Sequence, residues 1–468
     1  MLINFSVENF RSFGDEQTLS LIASSAQTGH DGHCVAIPAS DEKALRASVI
    51  YGANAAGKSN LVKAIDFARD LIVEGAGPMK RIALNQFRFT DEAAKPSSFE
   101  FRFMVAERVF VYGFDITKDE VTSEWLSATT NSGRESDLFH RKGKEIEFGD
   151  FTKFGEESVT SSKTLRALEL LGVRPNQLLL NKIVDLAPER RGMLLHQVVW
   201  WFTVCLVVIS PDASFAPIID FLADDEPFKE FASQFLSTIG TGIGGLGIEQ
   251  TAIKADQLPK GLIESLQSIN DVEVTPIAIG AGMSLQLDSD DPATVIRRNL
   301  ASTHRVGDKE YSLPFQEESD GTQRFLNLLP ALFRLHTGCQ VFVIDELDRS
   351  LHPLLAHALI KFFVESCPGS CQQLIVTTHE THLLDLDLLR RDEIWFVEKD
   401  ERQQSHLYSL TSMSVRKDLR IEKSYLQGRF GAVPFVGGMD KLRELVECRS
   451  GSGDAKEPPA RAGRRRKS

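Results

Sequence analysis

The alternation of apolar and polar residues predicts strands near the start of the chain. Leu2, Phe5, Val7 and Phe10 lie in a strand-like run that ends at residues 11–14, Arg-Ser-Phe-Gly. Residues 48–51 predict a short buried strand, and residues 60–67 have the apolar spacing of a helix. Residues 99–105 alternate with period two, and a second run at 109–115 follows a three-residue break, which predicts a hairpin.

The pattern then becomes mainly helical from about residue 161 to residue 300. The expected core faces are Leu165, Leu168, Leu171, Leu178, Leu179, Leu180 and Ile183. Two stretches inside this region, 240–247 and 288–291, are expected to be loops, and the weak G-x-G-x-x-G match at 240–245 is given no chemistry. We therefore expect a helical lobe inserted between two halves of a larger domain.

Strands return near the end of the chain. Residues 341–344, Val-Phe-Val-Ile, predict a fully buried parallel strand, and residues 374–376 predict a second one followed by a helix-like segment at 383–386. Before them, a helix carries Phe325, Leu328 and Leu332, and Pro330 should bend it.

A phosphate-binding loop is predicted between the strand at 48–51 and the helix at 60–67. Gly52, Ala53, Asn54, Ala55, Ala56, Gly57, Lys58 and Ser59 fit G-x-x-x-x-G-K-[ST] at every fixed position, and Asn60 follows. The glycines allow backbone N–H groups to point inward, and the helix N-terminus adds positive potential. Lys58 would reach the β- and γ-phosphates, and Ser59 would supply a hydroxyl to Mg²⁺.

Two carboxylates and a histidine are expected at the same sheet edge, because ligands of α/β sheets gather at the carboxyl ends of strands. Asp345 and Glu346 follow the strand at 341–344, and His379 follows the strand at 374–376. Asp345 can hold Mg²⁺, and Glu346 can deprotonate the water that attacks the γ-phosphate. His379 could read the γ-phosphate.

A second anion-binding site is predicted at residues 319–323, Ser-Asp-Gly-Thr-Gln. Ser319 is well placed as a helix N-cap, and Gly321 leaves the helix start bare. Two such sites in one polypeptide seldom share one phosphate, whereas two copies arranged head to tail would let each complete the other. A head-to-tail homodimer or a higher homo-oligomer is therefore expected.

Composition narrows the class of protein. The 468 residues are enough for two or three domains, and 53 basic against 65 acidic residues give a formal charge of −12, which argues against a surface that is basic overall. Six scattered cysteines show no zinc spacing, residues 1–10 do not resemble a secretory signal, and the apolar run 194–209 is shorter than a membrane span. We expect a cytoplasmic protein with no membrane association.

The motifs together resemble the ABC-type ATPases of the SMC, RecF and OLD kind. Residues 52–59 resemble the Walker A loop, Gln86 the Q-loop glutamine, residues 319–323 the signature motif, residues 344–346 the end of Walker B, residues 347–353 the D-loop, and His379 the switch histidine. The resemblance covers about residues 1–115 and 300–400. It implies ATP and Mg²⁺ as ligands, with Gln86 near both, and a P-loop NTPase of ABC type: an α/β fold of a mixed sheet plus an antiparallel β subdomain.

A closer resemblance is to bacterial AAA-type ATPases that work beside a second protein in phage-defence and abortive-infection operons. It rests on residues 9–13, 51–54, 318–324 and 425–431. It implies ATP bound between subunits that controls a separate effector, which in such systems is often a nuclease. The chain departs from the larger relatives because it has neither sustained heptads nor an acidic cluster after residue 400 like that of a Toprim nuclease.

The expected domains are an N-terminal half of the ATPase head at 1–150, the inserted lobe at 151–300, a C-terminal half at 301–440 and a disordered basic tail at 441–468. Some alternatives stay open. Phe10 and Arg11 could flank a nucleotide or belong to an ordinary edge strand, and the tail could bind nucleic acid or an acidic partner or only aid solubility. The rival functions are a RecF-like repair ATPase whose ATP state gates DNA binding, and a nucleotide-gated scaffold with little turnover.

Overall fold

The computed structural model describes the chain in sixteen stretches. They are residues 1–77, 80–90, 95–155, 172–186, 194–211, 218–259, 261–263, 266, 277–279, 282–288, 290–291, 293–333, 338–349, 351–366, 368–413 and 421–430. Residues Met1–Ala432 belong to one compact unit. The second unit, Val433–Ser468, lies outside the described residues. The predicted basic tail at 441–468 is part of that unit and stays a prediction.

The regular elements are numbered here in chain order. The α-helices are α1 Lys58–Val73, α2 Leu179–Leu186, α3 Leu194–Trp200, α4 Ile218–Asp224, α5 Glu226–Thr238, α6 Asp320–Phe333, α7 Pro353–Glu365 and α8 Ile421–Leu426. The first ten strands are β1 Leu2–Glu8, β2 Gln17–Ser20, β3 Cys34–Ala36, β4 Lys43–Leu45, β5 Ala47–Gly52, β6 Ser97–Val105, β7 Arg108–Ile116, β8 Val121–Thr129, β9 Glu135–Lys142 and β10 Glu145–Phe148. The later strands are β11 Leu206–Ile209, β12 Ile243–Lys254, β13 Ile277–Ala278, β14 Met283–Leu287, β15 Thr294–Val306, β16 Lys309–Pro314, β17 Val341–Ile344, β18 Gln373–Thr377, β19 Ile394–Lys399 and β20 Ser405–Ser409.

A six-stranded sheet forms the centre of the fold, in the order β11-β17-β18-β5-β19-β20. The first five strands run parallel, and β20 closes the sheet antiparallel to β19. Every residue of β5, β17 and β18 is buried, which agrees with the continuous apolar runs that predicted them. The strand that precedes the phosphate loop, β5, is separated by one strand from β17, which carries the two carboxylates at its end.

A seven-stranded antiparallel sheet lies beside this centre, in the order β10-β9-β8-β7-β6-β1-β2. The predicted hairpin is confirmed as β6 and β7, with Met104 opposite Val109. Its turn residues Ala106 and Glu107 have φ of 50° and 59°, as a two-residue hairpin turn requires. The first strand β1 is also confirmed, although it pairs on both sides and is not an edge strand.

One hydrophobic core joins the two sheets through α1. Leu61 and Ile65 of this helix belong to the same buried cluster as Phe101 of β6 and Val343 of β17. The predicted helix at 60–67 is therefore confirmed, and its buried residues recur at the spacing of one helix face. This packing fixes the start of α1, where the phosphate loop ends.

The mainly helical interpretation of residues 161–300 is wrong for its second half. An antiparallel sheet begins at Ile243, in the order β12-β15-β14-β13 with β16 paired to β15, so the loop predicted at 240–247 ends before Ile243. Earlier in this region, β11 joins the central sheet by pairing with β17. Leu178, Leu179 and Leu180 are buried as expected, whereas Leu165, Leu168 and Leu171 lie outside the described residues. The domain boundaries themselves stay a prediction.

The helix-like segment predicted at 383–386 is also different. A short 3-10 helix, Thr381–Leu383, follows β18, and residues 384–390 form no helix but contain a turn at 386–388. No helix among the described residues is both long and apolar enough to cross a membrane.

Candidate functional site

The phosphate loop joins β5 to α1, in the setting that its motif requires. Gly57 has a φ of 120°, and a Cβ at this position would lie 2.2 Å from the Ser405 hydroxyl oxygen. A Cβ on Gly52 would lie 2.6 Å from the carbonyl oxygen of Val397. Both fixed glycines of the motif are therefore demanded by close packing, and Gly57 also by its backbone conformation.

The hydroxyl groups of Ser12 and Ser405 form hydrogen bonds that hold the phosphate loop. Ser405, at the start of β20, donates its hydroxyl proton to the carbonyl of Ala56 at 2.6 Å, and its oxygen lies 2.8 Å from the hydroxyl of Ser12, which can donate to it. The amide of Asn60 donates to the same Ser12 hydroxyl at 2.8 Å. Asn60 thus acts on the loop through Ser12, and residues 9–13 of the N-terminal motif supply a support for the loop.

Arg11 lies in the turn after β1, with a φ of 52°, and its guanidinium lies over the Phe10 ring at 5.6 Å. Its backbone N–H donates to the carbonyl of Asn85 at 2.7 Å. Arg11 therefore links the N-terminal turn to the segment that contains Gln86. Arg11 thus lies in a turn and not in the edge strand that the sequence left open.

Lys58 turns back over the loop at the start of α1. Its ammonium donates to the carbonyl of Gly52 at 2.8 Å and to Nε2 of His379 at 2.9 Å. Burial lowers the pKa of Lys58 to about 8, against the raising effect of Asp345, Asp348 and Glu346. The lysine therefore remains mostly protonated at pH 7, with its charge in front of the loop.

His379 lies directly beyond β18, in contact with Lys58. Burial, followed by the neighbouring Lys58 charge, lowers the pKa of its ring, so the imidazole is neutral at pH 7. Its Nε2 can therefore accept a hydrogen bond from the Lys58 ammonium. Asp348 accepts a hydrogen bond from the backbone N–H of His379 at 3.2 Å and another from the Thr378 hydroxyl at 2.7 Å. These two bonds fix the loop that carries the histidine.

Asp345 and Glu346 follow β17, as predicted. Asp345 is 1% exposed, and its carboxylate accepts a hydrogen bond from the Thr377 hydroxyl. Glu346 has a φ of 50°, in the left-handed region, and its backbone N–H donates to the oxygen of the same Thr377 hydroxyl at 2.8 Å. The final residue of β18 thus forms hydrogen bonds with both acidic residues that follow β17.

The residues present fit a magnesium ion. Mg²⁺ prefers oxygen ligands and usually binds through one or two protein groups together with substrate phosphates. Ser59 offers a hydroxyl at the start of α1, and Asp345 offers the carboxylate oxygen that does not bond to Thr377. The negative charge of Asp345 raises the pKa of Lys58, so this carboxylate lies within electrostatic range of the lysine of the phosphate loop.

The predicted signature helix is α6. Ser319 caps it, because its hydroxyl accepts the backbone N–H of Thr322 at 3.2 Å. Arg324, one turn further on, donates to the carbonyls of Asp345 at 2.9 Å and Ser210 at 3.1 Å. The helix is therefore attached to the ends of β17 and β11, on the side of the sheet away from β19, and Gly321 lies in its first turn.

The structure does not bring Gln86 to the phosphate loop. Its amide nitrogen donates to the carbonyl of Lys95 at 2.9 Å. With Asn9 and Lys118 it lines a cavity of about 290 Å³. Within the described residues it makes no hydrogen bond to the phosphate loop, so its proposed contacts with nucleotide and Mg²⁺ stay a prediction.

A protein-family model described as "AAA domain, putative AbiEii toxin, Type IV TA system" matches residues 47–171 and 210–385, which is more than half of the chain. The chain belongs to this AAA-domain family. The matched residues include the phosphate loop, Gln86, the signature helix, the two carboxylates and His379. Together with the parallel central sheet, this membership gives the chain a P-loop fold of ABC-ATPase type with mixed α/β sheets.

The structural comparisons match SMC head domains at low similarity. The head domain from Thermotoga maritima is 12% identical, with 87% of this chain and 98% of that chain covered and a TM-score of 0.36. An SMC head bound to the C-terminal winged-helix domain of ScpA is 14% identical, with 88% and 99% covered and a TM-score of 0.38. These values are too low to carry an argument about function or partners. The comparison with curated proteins finds no match.

Thr377, Asp348 and Arg324 of this AAA-domain protein also position the site, but no role is predicted for any of them from the sequence. In the sequence, Thr377 stands directly after a predicted strand, Asp348 in the D-loop-like stretch 347–353 and Arg324 in the block 318–324. Thr377 and Arg324 both act on the residues that follow β17, Thr377 through its hydroxyl and Arg324 through a backbone carbonyl. The available signal was positional: side chains at the carboxyl ends of adjacent parallel strands must meet.

The segment 421–430 packs against β5, the strand before the phosphate loop, and against its neighbour β19. Tyr425 stacks on Phe396 of β19 with ring centroids 5.7 Å apart and meets the ring of Tyr51 edge-on at 5.9 Å. Phe430 also stacks on Phe396, and its carbonyl accepts the Tyr408 hydroxyl at 2.7 Å. The described part of the 425–431 motif is therefore an aromatic clamp beside the loop strand.

Proposed function

We propose that this protein binds ATP with Mg²⁺ and hydrolyses it. The observation that carries the proposal is the position of the Lys58 ammonium. It lies between the carbonyl of Gly52 and the ring of His379, in the field of Asp345 and Glu346. A terminal phosphate that enters the loop would replace these two partners of Lys58. It would then lie between the lysine charge and the acidic end of β17.

Each group has a role that its chemistry suits. Lys58 and the backbone N–H groups of residues 52–59 bind the phosphates. Ser59 and Asp345 hold Mg²⁺, which would neutralise charge on the phosphate oxygens. Glu346 takes the proton of the attacking water, and neutral His379, released by Lys58, donates or accepts a hydrogen bond at the γ-phosphate.

We propose further that the complete site forms between two copies arranged head to tail. The contacts of Arg324 hold the start of α6 near β17 and β11. These strands lie two and three strand positions from β5, or about 10–14 Å at the usual strand spacing. Ser319 and Gly321 are therefore offset from the phosphate loop of their own chain, and a second copy would bring them to it.

In cells, we propose that ATP bound here controls a separately encoded effector in a bacterial anti-phage system. The family description, which names a putative toxin and a toxin–antitoxin system, supports this role. The carboxylates at the end of β17 are occupied with nucleotide in our scheme. The effector chemistry, which in related systems is often that of a nuclease, is therefore assigned to the partner.

A phosphate-release assay with purified chain, ATP and Mg²⁺ tests the enzymatic part. We expect turnover that Glu346→Gln abolishes. The same preparation, incubated with linear and single-stranded DNA and with transfer RNA, is expected to leave them intact. Turnover that rises only when DNA is added would favour a repair ATPase instead, and tight ATP binding with near-zero turnover would favour a scaffold.

The cellular part is tested by expressing the chain alone, with the product of its neighbouring reading frame, and with that product plus Lys58→Ala. Toxicity or phage resistance should require both proteins and should disappear in the Lys58→Ala combination. Full toxicity of the chain by itself would contradict a separate effector, while the ATPase result would stand unaffected.

A further inference from the structure

Two cysteines lie side by side at the amino end of the central sheet. Strands β17 and β18 are parallel with Val341 opposite Gln373. The pairing continues outward, because the backbone N–H of Gln373 donates to the carbonyl of Gln340 at 3.0 Å. Two residues before the paired positions stand Cys339 and Cys371, so they share a register position and a face of the sheet.

This placement suits a disulfide. Neighbouring strands lie about 4.8 Å apart, within the roughly 4.4–6.8 Å between Cα atoms that a disulfide spans. The two thiols already hydrogen-bond each other. Cys339 is exposed and Cys371 is half-buried, so small oxidants can reach the pair.

The pair differs chemically from the other described cysteines. The hydrogen bond from Cys339 lowers the pKa of Cys371, which favours the thiolate form of Cys371. Cys339, Cys371 and the buried Cys205 line one cavity, but burial raises the pKa of Cys205 to about 11. Burial also raises the pKa of Cys34. The nucleophile of the group is Cys371, with Cys339 next to it.

We propose that Cys339 and Cys371 are a redox-sensitive pair that hydrogen peroxide converts to a reversible intramolecular disulfide. The Cys371 thiolate attacks one peroxide oxygen, the O–O bond breaks, and the leaving hydroxide takes up a proton to become water. The Cys339 thiol then loses its proton and attacks the resulting sulfenic acid, the S–O bond breaks, and a second water leaves. Two thiols and one peroxide thus give one disulfide and two waters.

The disulfide would join β17 and β18 at the ends opposite to the candidate ATP site. Asp345 and His379 lie six and eight residues further along the chain, beyond the carboxyl ends of the strands. Oxidation is therefore expected to preserve ATP hydrolysis and to raise the melting temperature, because the cross-link restricts the unfolded chain. The inference is independent of the proposed function.

The test uses the reduced full-length protein without any substitution. It is treated with increasing hydrogen peroxide, quenched with N-ethylmaleimide and analysed by non-reducing peptide mapping. We expect a peptide pair linked through Cys339 and Cys371, formed on the order of tenfold faster than oxidation of Cys34 and reversed by dithiothreitol. Cys339→Ser should stop the reaction at a Cys371 sulfenic acid that dimedone traps.

Cys205→Ser and Cys367→Ser are the matched controls. Cys205 lies in the same cavity, and Cys367 is only four residues from Cys371 and lies outside the described residues. Both variants should form the linked peptide as the parent does. The proposal is overturned if Cys371 links to Cys367, if the link joins two chains, or if the pair stays reduced at peroxide concentrations that oxidise free dithiothreitol.

Discussion

The hydroxyl of Thr377 accepts a hydrogen bond from the backbone N–H of Glu346 at 2.8 Å. The same hydroxyl donates its proton to the carboxylate of Asp345. One side chain at the end of β18 therefore orients both acidic residues that follow β17. Glu346 has a left-handed backbone, which costs roughly 1–2 kcal/mol for a residue with a side chain. The bond to Thr377 helps to hold this conformation.

Replacing Thr377 by valine should impair hydrolysis more than binding. The valine keeps the shape of the side chain but removes both hydrogen bonds, so kcat should fall about 10–100-fold, the usual effect of removing such a support. Binding of a fluorescent ATP analogue should change only a few-fold, because the phosphate loop is untouched. Thr377→Ser retains the hydroxyl and should recover most of the rate. Equal rates for the valine and serine variants would contradict the role given to this hydroxyl.

Glu346→Gln and Lys58→Ala should fail in different ways. The amide that Glu346→Gln introduces cannot accept the water's proton, so hydrolysis should fall by about two to four orders of magnitude with ATP still bound. Lys58→Ala removes the ammonium that lies over the loop and should weaken ATP binding itself. Equilibrium binding and single-turnover hydrolysis, measured on both variants, separate the two effects. Near-parent turnover in Glu346→Gln would disprove its role as base.

ATP affinity should fall as the pH rises above about 8. Lys58 has a pKa of about 8 without nucleotide because of its burial, and phosphate binding would raise that pKa. ATP therefore binds the protonated form. The affinity should be constant below the free pKa and fall about tenfold per pH unit above it, until the pKa of the bound state is reached. His379, whose pKa is lowered, stays neutral throughout this window.

Titration of ATP by calorimetry between about pH 7.5 and 9.5, where ATP itself is fully ionised, measures this slope. Lys58→Arg is the control, because arginine keeps its charge across the whole range. The variant should bind with an affinity that does not change with pH, whatever its absolute value. A slope that persists in Lys58→Arg would assign the proton to a different group.

The aromatic clamp should stabilise the fold through Tyr425. Its ring is 5% exposed and stacks on Phe396, so Tyr425→Ala should lower the free energy of unfolding by about 3–5 kcal/mol. Leu426 on the same helix is 59% exposed, and Leu426→Ala should change the free energy by less than about 0.5 kcal/mol. Chemical denaturation of both variants makes the comparison. Equal losses would show that the ring contacts contribute little.

The motif residues could be predicted from sequence because each rests on local chemistry. Gly57 must be glycine at its φ of 120°, and the buried strands β17 and β18 appear as unbroken apolar runs. Once these strands are placed as parallel neighbours, Asp345 and His379 must lie at one edge of the sheet. The positions of the loop, the carboxylates and the histidine thus follow from a few residues each.

The second half of the inserted region could not be predicted in the same way. Strand β12 is exposed along most of residues 249–254, so it lacks the apolar alternation that marks a strand, and its glycines favour a loop interpretation. Strand β11 belongs to the apolar run 194–209, where a short strand and a buried helix have the same pattern. Only pairing with β17 distinguishes them.

Mixing two inactive variants should restore activity if the site is shared between copies. Lys58→Ala disables the phosphate loop, and Ser319→Arg places a bulky cation at the cap of α6, whose hydroxyl now accepts the N–H of Thr322. In a head-to-tail pair of one chain of each kind, one composite site has an intact loop and an intact signature helix, whereas the other has neither. Random exchange of equal amounts makes half of the dimers mixed, so about a quarter of the parent's sites should be intact.

The readout is phosphate release, measured after the two variants have exchanged subunits. Energy transfer between labelled chains shows separately that the exchange has taken place. The matched control is Lys58→Ala mixed with Glu346→Gln. In our scheme Glu346 acts on the same nucleotide as the Lys58 of its own chain, so each site of this mixed pair lacks either the lysine or the base. The control mixture should therefore stay inactive even though its chains exchange. Recovery there would place Glu346 on the neighbouring chain's nucleotide, and exchange without recovery in the first mixture would show that Ser319 does not serve the neighbouring loop.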